Sequence, residues 1–530
     1  MGIESSVSDE HSKRGMWIVL AMTAMCMTVV AYNTTAITTV IPMLRKDLDL
    51  TPSEVQGIMA VYMVAASSLM PIMGRCADLF GRVRIFVLGM LTFACGSLFV
   101  AISTGGTEML LGRMLQGFGA SSLFGTSLSL LTSATPPKDR PVVVGVWGAM
   151  IALGMSLGPI IGGALGQYLS WRWIFYMDLA VLGLALILVR IVSRNNYVPA
   201  TQRLNKSLDI LGGILLILTL GPVAYGLANS SLAGWTNPVT LTSIGIGIVS
   251  GIAFWWREQH CESPLLHLDY FRHPRFKMAT LGIFIAGFNL LGFFIFYNLF
   301  VQSPAAFGMS PVEAGAAVLP MTAVMLVFSI WGPKILGPYS YRWPITIGML
   351  CLALSGILLS TVSNDSTYRD TWWMLLVTGV GFGLTIPLLP RIGLRLCAEE
   401  HTGQASGMVN ACLTFGASVG SVVAGAAHVA SIRKHLEAVL HALPIKSEQR
   451  HELAQALANG SNSDILTKLG TLKPETSHAL QQALRDVQDD AFSAAMLTCS
   501  VVSIVGAIIA VYLMRGPVPE EGSAKALLRH

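Results

Sequence analysis

Three ionisable residues lie inside apolar stretches, where a charge is costly and marks a functional site. Arg113 follows Leu111 and Gly112, Asp178 follows an aromatic tract, and His428 lies in a stretch rich in Ala and Gly. Such groups could carry coupling between proton movement and a conformational change. The alternatives are that Arg113 satisfies carbonyls or snorkels to the interface, that Asp178 bonds to the Trp171–Trp173 corner, and that His428, though able to titrate near neutral pH, is a satisfied polar residue.

A second set of charged residues, interleaved with glycines, lies before Arg113 in the sequence. It consists of Gly74, Asp78, Gly81, Arg82 and Arg84, between two apolar stretches. The glycines permit a tight turn, and the acid with its arginines predicts a charged latch that can break. A purely topological role would need the arginines, but neither Asp78 nor both glycines.

A third feature is a glycine ladder within an apolar stretch. Gly154, Gly158 and Gly162 recur every four residues, so they share one helix face. In lipid such a face allows a neighbouring backbone to approach closely, and Pro159 bends the helix at the same place. The pattern, which Gly145 and Gly163 extend, predicts a seam along which two helices slide or rock.

The elements that position these residues are membrane helices. Of 530 residues, 53% are hydrophobic and 12% charged, against roughly 25% charged in soluble proteins, and the mean hydropathy is +0.62. Apolar stretches of about 20 residues recur about fourteen times, which predicts an all-α integral membrane protein. The distribution of Lys and Arg places both termini in the cytoplasm.

We expect two six-helix bundles, two additional helices, and an extracytoplasmic helical hairpin that is either a solvated cap or a site for a periplasmic partner. The predicted segments are a cytoplasmic tail (1–15), the N-terminal bundle (16–193), a cytoplasmic linker (194–208), the two additional helices (209–257), a second linker (258–276), the C-terminal bundle (277–515) containing the hairpin (431–490), and a cytoplasmic tail (516–530).

Several classes of function are disfavoured by what the sequence lacks. The eight cysteines include no CxxC pair, so we expect neither a disulfide framework nor a metal site. There is no GxxxxGK[ST] loop for ATP, and no nucleophile–base set stands out. We therefore expect no enzyme activity, no cofactor and no nucleic-acid partner.

Taken together, the motifs resemble the major facilitator superfamily, in particular its fourteen-span drug:proton antiporter branch of multidrug and quaternary-ammonium exporters. The resemblance is carried by the Gly74 to Arg84 loop, by Arg113 with Gln116 and Gly117, and by the glycines of the fifth helix with Pro159. It implies two bundles around a central cavity, alternating access by rocking, an Asp78–Arg82 latch coupled to Arg113, and a glycine seam packed against the opposite bundle.

The sequence departs from that branch at two positions. Asn33 stands where the branch carries an acid in its first helix, and Asp178 stands where it more often shows asparagine. Because an amide cannot titrate, the coupling residue and the substrate charge are open. The side chains expected around the cavity are mostly amides, hydroxyls and aromatic rings: Asn33, Thr34, Thr38, Tyr62, Gln116, Asn289, Tyr297, Asn298 and Asn410.

These features predict a secondary active exporter in the inner (plasma) membrane. It would carry amphiphilic small molecules, neutral or anionic rather than small dications, outward through the lipid bilayer in exchange for protons. One alternative keeps the fold and changes the cargo to an endogenous metabolite such as a siderophore or another metal chelator. Another is a non-transporting sensor or scaffold that uses the outer hairpin.

Overall fold

The computed structural model describes residues 2–50, 52–195, 197–198, 208–261, 263–303, 306–336, 341–397, 401–442 and 474–515. Within these ranges the regular secondary structure is helical. The helices are α1 (Gly2–Asp47), α2 (Pro52–Phe80), α3 (Arg82–Ala101), α4 (Gly106–Ser133), α5 (Arg140–Tyr168), α6 (Arg172–Arg194), α7 (Ile210–Ala233), α8 (Pro238–His260), a 3₁₀ turn (Leu268–Arg272), α9 (Pro274–Gln302), α10 (Pro311–Ala317), α11 (Leu319–Leu336), α12 (Arg342–Leu359), α13 (Tyr368–Thr385), α14 (Leu388–Leu396), α15 (Thr402–Ala442) and α16 (Pro474–Leu513).

Thirteen candidate spans among the described residues are long and apolar enough to cross a membrane. Two of them, Pro311–Gly332 and Tyr368–Leu396, each combine two consecutive helices into one crossing. The breaks lie beside Pro320 and Pro387, which cannot donate a helix hydrogen bond. Helix α4, 28 residues long and carrying Arg113, provides a fourteenth crossing. The prediction of an all-α membrane protein with about fourteen spans is confirmed.

The helices form two bundles and a separate pair. Helices α1 to α6 pack mainly on one another, and α9 to α16 form the second group. Helices α7 and α8 pack together, and α7 also contacts α2 and α15, one helix from each bundle. The extra pair therefore lies against the junction of the two bundles.

The two ends of α2 define the two sides of the molecule. Helix α1 ends at Asp47, and α2 then runs back to Phe80. We call the side where α1 ends the Asp47 side and the side where α2 ends the Asp78 side. The first helix starts on the Asp78 side, and an even number of crossings, fourteen, returns the chain to it. In the predicted outer hairpin, α15 and α16 are helical up to Ala442 and from Pro474, whereas residues 443–473, like the tail 516–530, lie outside the described residues.

Candidate functional site

The two bundles are joined on the Asp78 side by a carboxylate that caps a helix. The first amides of a helix have no partner within it, and those of Gly403 and Gln404 in α15 donate to the two carboxylate oxygens of Asp78 at 2.9 and 2.8 Å. Asp78 itself is fully buried. We call this contact the Asp78 seal. Because Asp78 belongs to the N-terminal bundle and α15 to the C-terminal one, the seal joins the two bundles on this side.

Predicted latch residues surround the seal. Arg82 Nη2 lies 3.7 Å from Asp78 Oδ1, and the Arg82 guanidinium also donates to Ser133 and Thr402. A side chain at Gly74 would collide with the backbone of α15. Gly81 adopts a φ of 102° that favours glycine, whereas Arg84 is exposed.

A connection from α8 reaches the same seal, which the sequence did not reveal. The buried Glu258 carboxylate accepts from the amides of Leu265 and Leu266 at 3.3 and 2.9 Å, and the Leu265 carbonyl accepts from the Gln404 side chain. Nearby, the buried Arg75 guanidinium has no hydrogen-bond partner within the described part of the chain. Residues of the α8–α9 connection thus brace the helix end that Asp78 caps.

A buried polar network lies deeper, within the N-terminal bundle. The Asp178 carboxylate of α6 accepts from Asn33 Nδ2 at 2.7 Å, from Ser97 Oγ at 2.7 Å and from the Tyr32 hydroxyl. Asn33 Oδ1 in turn accepts from Arg113 Nη1 at 2.7 Å. All of these side chains are essentially excluded from solvent. The structure therefore brings together Asp178 and Arg113, two of the three predicted intramembrane ionisable residues, through Asn33.

Gln116 completes this network, and His428 stays outside it. Gln116 Oε1 accepts from Arg113 at 2.9 Å, and its amide donates to Ser97 at 2.7 Å. His428 lies on α15 in the C-terminal bundle, where its ring centroid is 5.1 Å from that of Phe296 on α9. The geometry therefore gives His428 no part in the contacts around Asp178.

A cavity that is partly open to solvent lies between the two bundles, and the space in and around it, open solvent included, is about 550 Å³. Its walls are apolar except for three hydroxyl groups, and no lining residue is charged. The lining residues are Ala31, Thr34, Tyr62, Met63, Ala66, Met70, Ala120, Phe124, Ile151, Met155, Leu290, Leu291, Leu413, Thr414 and Ala417.

Tyr62 is the lining residue that touches the buried network. The guanidinium carbon of Arg113 lies 4.1 Å from the centroid of the Tyr62 ring, a distance typical of a cation–π contact. The hydroxyl of Tyr62 donates to the Val30 carbonyl at 3.3 Å. Tyr62 is thus a residue of the cavity wall and, through its ring, a neighbour of Arg113.

Most of the residues expected around the cavity do not line it in this structure, and several of them bond to structural partners instead. Asn410 donates to the Phe124 carbonyl at 2.8 Å, Asn289 accepts from Ser503, and Asn298 bonds to its own helix. Thr38 likewise donates to its own helix, and Tyr297 stacks on Phe293. Of the nine candidates only Thr34 and Tyr62 line the cavity.

The glycine ladder of α5 faces a different helix from the one expected. A side-chain carbon at Gly154, Gly158 or Gly162 would lie 2.6–2.8 Å from backbone atoms of α1, which belongs to the same bundle. The prediction that this face meets the opposite bundle is therefore wrong for these three glycines. It holds for Gly145, which lies against Ser329 of α11, and for Gly163, which lies against Pro311 of α10. One face of α5 packs on α1 and another on the second bundle.

A threonine of α1 compensates for the proline in α5. Pro159 has no amide hydrogen, so the carbonyl four residues earlier, that of Met155, loses its helical donor. The hydroxyl of Thr35 donates to this carbonyl at 2.9 Å. The helix around Pro159 is thereby tied to α1 two residues beyond Asn33. The sequence contained this signal, a threonine-rich stretch facing a proline-containing helix, but not the pairing.

The sequence and the fold are similar to those of known membrane transporters. The sequence profile of the Major Facilitator Superfamily matches residues 23–421. The methylenomycin A resistance protein of Bacillus subtilis is 28% identical over 79% of this chain and 89% of its own. The tetracenomycin C resistance and export protein of Streptomyces glaucescens is 26% identical over 95% of this chain and 93% of its own. Among solved structures, the human organic anion transporter MFSD10 shares the fold with a TM-score of 0.60 at 13% identity, covering 94% of this chain and 99% of its own.

Proposed function

The chain belongs to the Major Facilitator Superfamily, and from that membership and the site geometry we propose that it is a secondary active exporter of apolar, drug-like molecules. The observation that carries this proposal is the position of the cavity. It is lined by both bundles, and the same two bundles are joined by contacts at the Asp78 seal. Breaking that seal would open the cavity to the Asp78 side, as alternating access requires.

Export of small molecules is supported by the relatives. The proteins named for resistance to methylenomycin A and for resistance to and export of tetracenomycin C match most of this chain. The cavity has the apolar lining typical of small-molecule sites. The lining carries no charged side chain, which argues against the alternative cargo of a metal-chelating siderophore.

Protons are the proposed coupling ion, and Asp178 is the proposed coupling residue. An aspartate can take up and release a proton, whereas Asn33, which occupies the position of the branch's acid, cannot. Asp178 has no Lys or Arg nitrogen within 4.0 Å in the described part of the chain, and its oxygens accept from neutral donors. Protonation would remove the charge to which those donors point, so it would loosen the contact of α6 with α1.

The proposed orientation places the Asp78 side in the cytoplasm of the inner (plasma) membrane. The Asp78 side carries the Arg82 and Arg257 contacts and the basic connections, as the positive-inside rule requires. Both termini would then be cytoplasmic. The conformation described above would have its cytoplasmic side closed.

The test is transport by the purified protein in liposomes with an acidic lumen. We expect such vesicles to accumulate a neutral aromatic drug from outside and to stop when a protonophore collapses the gradient. Asp178→Asn should lose this accumulation but keep gradient-free exchange of labelled for unlabelled drug. Asp370→Asn, which changes an exposed helix-capping acid, is the matched control and should behave as wild type.

Two results would contradict the proposal. Accumulation that persists after the gradient is collapsed would exclude proton antiport. Gradient-driven accumulation by Asp178→Asn at the wild-type rate would keep antiport but assign coupling to another residue.

A further inference from the structure

We propose that Tyr62, with Arg113 on its ring, makes the cavity selective for neutral aromatic molecules over cations of the same shape. This inference rests on the proposed function, because it concerns the substrate class of the same cavity. It assigns a specificity-determining role to one side chain. The juxtaposition that supports it is a ring that belongs at once to the cavity wall and to a cation–π pair.

The Tyr62 ring already has a cation beside it. An aromatic face carries partial negative charge and draws cations. The guanidinium of Arg113, 4.1 Å from the ring centroid, already uses that attraction. A second cation in the cavity would meet a ring whose electrons are drawn towards Arg113 and would also be repelled by Arg113 itself. A neutral aromatic ring meets neither penalty and can still stack on Tyr62.

The rest of the cavity lining contains no acid that could hold a cation. The other polar lining residues, Thr34 and Thr414, are neutral. The acid of the network, Asp178, is fully buried and absent from the lining, so it offers no carboxylate oxygen to a cation in the cavity. Nothing in the lining therefore offsets the positive charge behind Tyr62.

The methionine and aromatic side chains of the lining are suited to an aromatic ligand. The lining includes Met63, Met70 and Met155, and a thioether adapts to irregular ligands and makes favourable contacts with aromatic rings. The lining also includes Phe124, a second aromatic ring. Walls of this composition suit a flat aromatic molecule.

The test compares two ligands of nearly the same shape, which differ by one N-methyl group and the permanent positive charge that it creates. Phenanthridine is neutral at pH 7.5, and N-methylphenanthridinium is its permanently cationic counterpart. We expect the wild-type protein in lipid nanodiscs to bind phenanthridine on the order of tenfold more tightly than the cation. Arg113→Gln should shrink this ratio towards one, whereas Arg113→Lys, which keeps the charge, should preserve it.

Two further variants keep the inference testable if changes at Arg113 prevent folding. Tyr62→Leu should weaken phenanthridine binding by roughly fivefold and reduce the ratio, while the matched control Phe124→Leu should weaken both ligands equally. Thr34→Asp, which places an acid in the lining, should invert the preference.

The result that overturns the inference is wild-type binding of the cation as tight as, or tighter than, that of phenanthridine. Failure of phenanthridine to bind at all overturns it too. Binding is measured without a pH gradient, so these results are separate from the transport assay. If the protein prefers the cation but still shows gradient-driven export, the proposed selectivity is refuted and the proposed function stands. If it prefers the neutral ligand but shows no export, the proposed function is refuted and the selectivity stands.

Discussion

Replacing Asp78 with asparagine should open the Asp78 side of the protein. The carboxylate accepts two backbone N–H groups at 2.9 and 2.8 Å in a fully buried position, and a hydrogen bond to a charged group contributes about 1.5–3 kcal/mol. Asparagine can keep one of these bonds through its oxygen, but its NH₂ group would face the other N–H. The closed state should therefore lose about 2–3 kcal/mol, which shifts the closed-to-open ratio by about 30- to 150-fold.

Cys397 provides a native reporter of this opening. It ends α14 on the Asp78 side, its side chain is buried, and burial raises the pKa of its thiol above the usual value. Because the thiolate is the reactive form, maleimide should label Cys397 slowly while the seal is closed. In protein that keeps Cys397 and lacks the other seven of its eight cysteines, Asp78→Asn should accelerate labelling on the order of tenfold or more.

The matched control is an acid-to-amide change on the opposite side. Glu108 is exposed and accepts from the Thr104 amide at 2.6 Å at the start of α4, so Glu108→Gln should leave the labelling rate of Cys397 unchanged. If Asp78→Asn, in folded protein of normal abundance, labels Cys397 at the wild-type rate, then Asp78 does not hold this side shut and the argument from its contacts is wrong.

Three further predictions concern α1 and its neighbours. The exchange Asn33→Asp with Asp178→Asn keeps one acid and one amide across the same contact, so it should restore gradient-driven accumulation that Asp178→Asn loses, to within about tenfold of wild type; no recovery would contradict the shared-site argument. Thr35→Val should lower stability by about 1–2 kcal/mol in thermal unfolding, because it leaves the carbonyl freed by Pro159 unpaired, and Thr35→Ser should not. Gly158→Leu should abolish transport while protein remains in the membrane, since any side chain there meets the backbone of α1; normal flux would refute close packing as a requirement.

Features that depend only on the residues of one short stretch could be predicted from the sequence. The apolar stretches gave the spans because a membrane helix needs about 20 such residues. Arg113 and Asp178 stood out because charges are costly in lipid, and the structure places both in one network. The four-residue spacing of Gly154, Gly158 and Gly162 correctly indicated a close helix–helix contact.

Which helix supplies each contact could not be predicted. Helical periodicity tells which residues share a face, but it does not say what lies against that face. The glycine face of α5 was therefore assigned to the wrong partner, and Asn289 was placed in the cavity although it faces Ser503 of α16. The partners of Asp78 are amides 325 and 326 residues away, and backbone groups have no signature in a sequence.

The contacts of α1 explain how cavity, coupling residue and hinge could act together. In three consecutive residues, this helix joins Asp178 to Arg113 through Asn33, lines the cavity with Thr34, and bonds through Thr35 to the α5 carbonyl that Pro159 leaves free. A ligand that displaces α1, or a proton that weakens its contact with Asp178, must also act on α5. Helix α5 in turn contacts the second bundle, where Ser156 and Thr322 lie 2.8 Å apart. Because α1 cannot shift without changing all three contacts, substrate and proton would each bias the same movement between the bundles.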